Sequence, residues 1–399
     1  MEFRFRDIPV IDGHIHFTDP DQMGNILSIA NTVPMAQVNL LSTPRPGGIN
    51  QNPAVMSAKL RQPKMVYISG GLDYAQVLGE GWSQIDPMAL FRNPDAATLQ
   101  ALADQWSDVD PAAMSENLGQ QIRAFRAIGF DGLKLIESKP TSRKVLPLPL
   151  DAPHYEGMWA ALEDLEMPVI WHVADPEEFW DEDQAPDWAK QHGWFYGDGT
   201  FPTKEALYTE VDNVLARHPG LQVVFAHFYF LSADLARAGH FLDTNPNVCL
   251  DLTPGNEMIT NFTRNFDAAR DFFVAYQDRL VYGTDIATRG LDTQEGMARA
   301  LGTAWAVRMY LETTGTFAAP GVLAHWRVPD LQGFRGFGLR DDLLAKIYCT
   351  NFQRLYGSEP AELDRTAALE ELARMASVLD TAGGDGTNPA RLVSQMMSG

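Results

Sequence analysis

The sequence predicts an α/β fold, a (β/α)8 TIM barrel with loop insertions over its C-terminal face and a C-terminal helical extension. Three observations lead there. Eight short runs rich in Val, Ile and Leu recur along the 399 residues. They alternate with segments whose apolar residues fall at helical spacing. No glycine-rich phosphate turn follows an early run. Strands covered on both faces read as continuous apolar runs, the pattern of a parallel sheet. Helical crossovers between such strands build a closed barrel or an open doubly wound sheet. The open sheet would carry a GxGxxG or Walker turn, and neither occurs.

The predicted strands, in chain order, are IPVIDGHIHF (8–17), PMAQVNLLS (34–42), KMVYISGGL (64–72), FDGLKLI (130–136), MPVIWHV (167–173), LQVVFAHF (221–228), NVCLDLTP (247–254) and RLVYGTDI (279–286). Before strand four, SENLGQQIRAFRAIG places Leu118, Ile122, Phe125 and Ile128 on one helical face, with Gly129 as its stop. YEGMWAALEDLE leads into strand five. TKEALYTEVDNVLARHPG leads into strand six, capped by Thr203 and ended by Pro219-Gly220. SADLARAGHFLDTNP and DAARDFFVAYQDR precede strands seven and eight. Residues 289–340 are too long for a simple connection and are expected to cover the barrel mouth. DDLLAKIYCTNFQRLYG reads as a closing helix. The predicted division is a barrel over 1–357 and a helical tail over 358–399.

Composition bounds the partners. Apolar residues make up 45% of the chain, enough for a large core, and the formal net charge is -21. Such acidity repels phosphate backbones, so nucleic acid is excluded as a partner and a small-molecule substrate is expected. No apolar run is long enough to span a bilayer, and MEFRFRDIPV lacks the apolar core of a signal peptide. Cys249 and Cys349 have no CxxC neighbour, which argues against a disulfide framework or a cysteine metal site. The expectation is a cytoplasmic protein, for which a homo-oligomer is compatible with the sequence.

The chemistry gathers at the strand ends. Alternation along a strand sends His14 and His16 of VIDGHIHF to the same side. Strand five ends in His172, strand six in His227 and strand eight in Asp285. In a barrel these carboxyl ends meet on one face, where such folds place their active sites. Imidazoles with a carboxylate suit a divalent ion, Zn2+ first, with Mn2+ or Fe2+ as harder alternatives. An ion there lowers the pKa of a water it binds to about 7. Taken singly, each residue has a plainer reading. A histidine at a strand end commonly packs and hydrogen-bonds, and Asp285 alone would read as a cap after Gly283-Thr284. Their joint placement at four strand ends outweighs those readings. His154, His192, His218, His240 and His325 are read as structural.

With DGHIHF at strand one, HV at strand five, a histidine at strand six and GTD at strand eight, the chain resembles the amidohydrolase superfamily of metal-dependent barrels. IYCTNFQRLYG (347–357) is similar to the closing segment of the branch containing aminocarboxymuconate-semialdehyde decarboxylase and related decarboxylases, lactonases and hydratases. The resemblance implies that His14, His16, His172 and Asp285 bind the metal. It implies that Asp285 is also the catalytic base. His227 would polarise water or the substrate oxygen, or bind a second ion. Lys134, in GLKLI, stands on the strand where some relatives carry a carbamylated lysine bridging two metals. Two residues separate it from Glu137 at the strand end, so an interior ion pair or a substrate-carboxylate clamp ranks above the carbamate.

The surroundings suggest a ring-containing or carboxylated substrate. The insertion ADPEEFWDEDQAPDWAKQHGWFYGDGTFP places Trp180, Trp188, Trp194, Phe195 and Tyr196 after strand five. Those rings serve either as walls for a substrate or as a satellite core packing the loop on itself. Phe228 and Tyr229 are expected at the mouth, with Asn256, Glu257 and Glu137 as further candidates. Arg289, four residues after Asp285, is the favoured carboxylate clamp, ahead of Arg45 and Lys134. Three functions are compatible with this set. First stands a hydrolase of amides, esters or lactones. A non-oxidative decarboxylase of an aromatic or unsaturated acid uses the same ligands. A non-catalytic, metal-stabilised binding barrel comes third.

Overall fold

The computed structural model describes residues 4–255, 257–321, 323, 333–381 and 388–398. Asn256 and His325 lie outside them. The fold is a TIM barrel. Among the described residues the main sheet has nine strands in the order β8-β7-β6-β5-β4-β3-β2-β1-β9. They are β1 (Ile11–His16), β2 (Gln37–Leu41), β3 (Val66–Gly70), β4 (Gly132–Ser138), β5 (Val169–Val173), β6 (Val223–Phe225), β7 (Val248–Asp251), β8 (Leu280–Val281) and β9 (Ile286–Ala287). Each of the eight expected apolar runs overlaps a strand, β4 continuing two residues past its run to Ser138. The eighth is split into β8 and β9 at Tyr282–Asp285.

The chain divides into two compact units. The first comprises Met1–Leu41, Arg61–Ile68 and Val224–Pro360. Within it β1 pairs in parallel with β2 and β9, and β7 pairs with β8. The stretch after strand eight forms a helix, Gln294–Glu312, and an antiparallel hairpin of β10 (Thr314–Phe317) and β11 (Phe334–Phe337). Arg308 in that helix is fully buried. Its guanidinium meets Glu312 at 2.6 Å, and Glu312 also accepts from the Tyr348 hydroxyl (2.9 Å) and the Arg6 amide (2.7 Å). A buried charge is tolerated only when paired and hydrogen-bonded in this way.

The second unit comprises Ser42–Leu60, Ser69–Val223 and Ala361–Gly399. It contains the parallel pairs of β4 with β3 and β5. The helix Pro111–Ile128 begins at Asp110, whose carboxylate accepts from the Ala113 amide, and stops at Gly129, φ 102. Thr203 caps Lys204–Arg217 as its sequence implies. The tail helices Arg365–Thr381 and Pro389–Ser398 belong to this unit. The Ala361 amide donates to Asp131 (2.7 Å), whose other oxygen takes the buried Lys59 ammonium (2.6 Å). Among the described residues no helix is long and apolar enough to cross a membrane.

Candidate metal centre

A bulge in β1 builds the centre. Its register against β2 slips between Asp12 and Ile15, so one extra residue is accommodated at Gly13-His14 and the strand is re-aimed beyond it. Position 13 is tight: a Cβ there would stand 3.1 Å from the Tyr282 carbonyl oxygen and 3.2 Å from the Val281 and Phe352 side chains, so a larger residue would need those neighbours to shift. The amides in the bulge find partners. Gly13 donates to the Tyr282 carbonyl (3.0 Å), and His14 donates to Asp12 Oδ1 (3.1 Å). Beyond the bulge, His14 and His16 bring their Nε2 atoms to 3.4 Å.

The broken eighth strand supplies the acid. β8 pairs with β7, β9 pairs with β1, and between them Asp285 adopts φ 56. Its amide donates to the His14 carbonyl (2.9 Å). Its Oδ1 lies 3.4 Å from Nε2 of both His14 and His16. Among the described residues these three form the group of His, Cys, Asp or Glu side chains whose ligand atoms crowd closely enough for one ion. The donor chemistry fits a divalent cation. With ligand distances of about 2.0–2.2 Å, the edges of a tetrahedron measure about 3.3–3.6 Å, and the triangle here has three edges of 3.4 Å.

Electrostatics divides the acids around this triangle. Enclosure by protein on its own raises a carboxyl pKa. At Asp285 it is outweighed by the His16 hydrogen bond and by the charges of His227, His14 and His16, which hold the group well below the usual range. Asp12 is pushed up to about 7 by burial, in spite of the Thr284 hydroxyl (2.6 Å) and the amides of Thr284 and His14. Asp251 is equally buried, but His14 and His227 hold it below its ordinary value.

Other expected residues of the first unit take separate places. His227 opens a turn in which residues 227–230 all have positive φ, from 49 to 56. A left-handed conformation costs roughly 1–2 kcal/mol per residue, so the surroundings must hold this turn. The His227 ring centroid lies 5.7 Å from that of His14 and stacks on Phe230. Phe228 is enclosed by Phe262, Phe272 and Phe273, and Tyr229 packs between Phe225 and Phe241. Arg289 is exposed.

In the second unit His172 is the penultimate residue of β5. Its Nε2 lies 3.0 Å from the Ala174 carbonyl and 3.5 Å from Asp175 Oδ1. Asp175 also receives the Lys139 ammonium (2.5 Å) and the Tyr196 hydroxyl (2.6 Å). Tyr196 belongs to a small core with Phe179, Ala189 and Phe201, against which Trp180, Trp188 and Trp194 pack. The Trp194 indole N–H donates to the Phe91 carbonyl (2.9 Å), and the Lys139 ammonium sits 4.8 Å from the Trp194 ring. Lys134 and Glu137 are fully buried on β4, where a second register slip falls between Leu135 and Ser138.

Compared with known proteins, residues 11–358 match a family model described as amidohydrolase. The chain belongs to the amidohydrolase family. Among curated proteins, none matches the chain. Similar solved structures include three at low identity. A 2,6-dihydroxybenzoate decarboxylase from Rhizobium is 14% identical, over 88% of this chain and 98% of that one, with a TM-score of 0.46. A 5-carboxyvanillate decarboxylase from Novosphingobium aromaticivorans with bound manganese is 11% identical, over 88% and 97%, with a TM-score of 0.47. An amidohydrolase from Burkholderia multivorans with bound zinc is 12% identical, over 87% and 99%, with a TM-score of 0.42. Within this amidohydrolase the sequence reading overlooked Asp12, Asp251 and Thr253. The signal for the two acids was available: each is a lone carboxylate within an apolar strand, costly to bury unless partnered.

Proposed function

We propose that this amidohydrolase is a metal-dependent hydrolase of an amide, ester or lactone in a small carboxylated or aromatic substrate. Its ion, zinc, is held by His14, His16 and Asp285. The observation that carries the reading is the 3.4 Å triangle of two imidazole nitrogens and one carboxylate oxygen. Two imidazole nitrogens with one carboxylate oxygen are a donor set that suits zinc. A divalent cation bound there supplies Lewis-acid activation of water and of the scissile carbonyl. Asp285, ionised at neutral pH, accepts the proton of the attacking water and returns it to the leaving group. His227 polarises the substrate oxygen. Arg289, exposed four residues after the acid, binds a substrate carboxylate. His172 as a further ligand, and Lys134, Trp194, Tyr196, Phe228 and Tyr229 as substrate contacts, rest on the sequence alone.

Turnover in oxygen-18 water with the zinc-loaded protein tests the reading, using a panel of lactones, esters, amides and aromatic acids. One oxygen-18 per acid product supports hydrolysis. Carbon dioxide release from an aromatic acid without label incorporation overturns it in favour of non-oxidative decarboxylation, the reaction for which the Rhizobium and Novosphingobium proteins are named. No turnover across the panel by a protein with full metal content favours a binding barrel.

A further inference from the structure

From these contacts we infer that Asp251 is a positioning residue for two histidines at once, setting the tautomer of His14 and fastening the backbone of His227; the inference rests on the metal-centre reading above. Asp251 is the last residue of β7, and its side chain is 1% exposed. Oδ2 accepts from His14 Nδ1 at 2.8 Å. Oδ1 accepts from the His227 amide (2.8 Å), the Thr253 amide (3.1 Å) and the Thr253 hydroxyl. Thr253 Oγ1 also stands 3.0 Å from the His227 amide nitrogen.

An ionised carboxylate only accepts hydrogen bonds. The nitrogen of His14 that faces Asp251 must therefore carry the proton. A neutral imidazole then keeps its lone pair on Nε2, the atom 3.4 Å from both His16 Nε2 and Asp285 Oδ1. The opposite tautomer would set a lone pair against the carboxylate and an N–H inside the triangle. Carboxylate partners of ligating histidines commonly fix tautomer and ring orientation in this way. The second oxygen does a different task. His227 begins the left-handed turn, and its amide is gripped by Asp251 and Thr253 together. One side chain thus aims a ligand with one oxygen and holds the turn of a second histidine with the other.

The test is Asp251→Asn, which is nearly isosteric. If the amide oxygen keeps the His227 and Thr253 amides, its NH2 group faces His14 Nδ1 and demands the lone pair there, moving the His14 proton to Nε2. In 15N NMR of the metal-free protein, His14 should be the Nδ1–H tautomer in the parent and the Nε2–H tautomer in the variant. Zinc affinity, read by competition with a chelating dye, should fall about 10–100-fold. A parent with His14 protonated on Nε2, or a folded variant whose tautomer and zinc affinity match the parent, overturns the inference. A variant that fails to fold leaves the decision to the parent tautomer, which needs no substitution. A parent that binds no zinc sinks the metal-centre reading instead, and the tautomer spectrum separates the two failures.

Discussion

Among the described residues, β1 and β4 each carry a register slip, and the two slips serve different ends. In β1 the slip falls at Gly13-His14, and the amide it leaves over is taken by the carboxylate of Asp12. In β4 the slip falls at Ile136-Glu137, and the Ile136 amide donates to Glu137 Oε2 at 2.6 Å. Burial pushes both acids to about 7. The contrast lies in what each bulge presents. β1 presents a histidine to a second histidine and to an acid held ionised. β4 turns its own acid onto the Tyr74 hydroxyl (3.1 Å), which in turn lies 3.4 Å from the Tyr155 hydroxyl. The same backbone irregularity can therefore bring a histidine into a polar cluster or turn an acid into a buried hydrogen-bonded chain. The neighbours, not the bulge, decide which.

The sharpest way to break that contrast is to remove the acid on the β1 side. Asp285→Asn should lower kcat/KM by about 10²–10⁴-fold on any substrate the parent turns over, while elemental analysis finds much of the metal retained. Unchanged turnover would remove Asp285 from the chemistry. His16→Ala should weaken zinc binding by at least about 100-fold, since one of three protein ligands is lost; full occupancy at stoichiometric zinc would refute the ligand set. The same measurement on His172→Ala tests the ligand expected from strand five.

The β4 bulge predicts a stability effect instead. The Glu137 carboxyl has its pKa raised by burial, despite the hydrogen bonds of the Ile136 amide and Tyr74 and the charge of Lys134. Between about pH 4.5 and 7 the folded state then holds more protons than the unfolded state, so its contribution makes stability fall as pH rises through that window. The full decline is about 3 kcal/mol at 1.36 kcal/mol per pKa unit. Urea unfolding of Glu137→Gln across that range should show a slope flatter by that contribution. A slope unchanged from the parent would mean the carboxyl is not raised. The smallest expected effect is ligand linkage. Zinc at 100 times its Kd should stabilise the parent by about 2.7 kcal/mol. The corresponding rise in Tm should vanish in His16→Ala.

Much of this architecture was legible because apolar periodicity reports burial, and each of the eight runs overlaps a strand. What stayed hidden depends on partners distant in sequence. A bulge exists only relative to a neighbouring strand, so IDGHIH read as plain alternation. The sixth strand was expected to run through His227 to Phe228, yet β6 ends at Phe225, because hydrophobicity does not encode the sign of φ. The hairpin of β10 and β11 went unseen, since TGTF and FRGF are short and glycine-broken. Asp251 sat in view within NVCLDL. Its role emerges only when His14, 237 residues earlier in the chain, is brought to it.

The left-handed backbone at Asp285 also governs how this position can be varied. Asparagine and glycine tolerate such a conformation, whereas β-branched residues resist it. In a saturation library, loss of activity with valine or isoleucine there would mix a lost carboxylate with a displaced peptide, one whose amide donates to the His14 carbonyl. Asparagine and glycine each remove the carboxylate while keeping the peptide in place. Among replacements that remove the acid, those two disturb this backbone least.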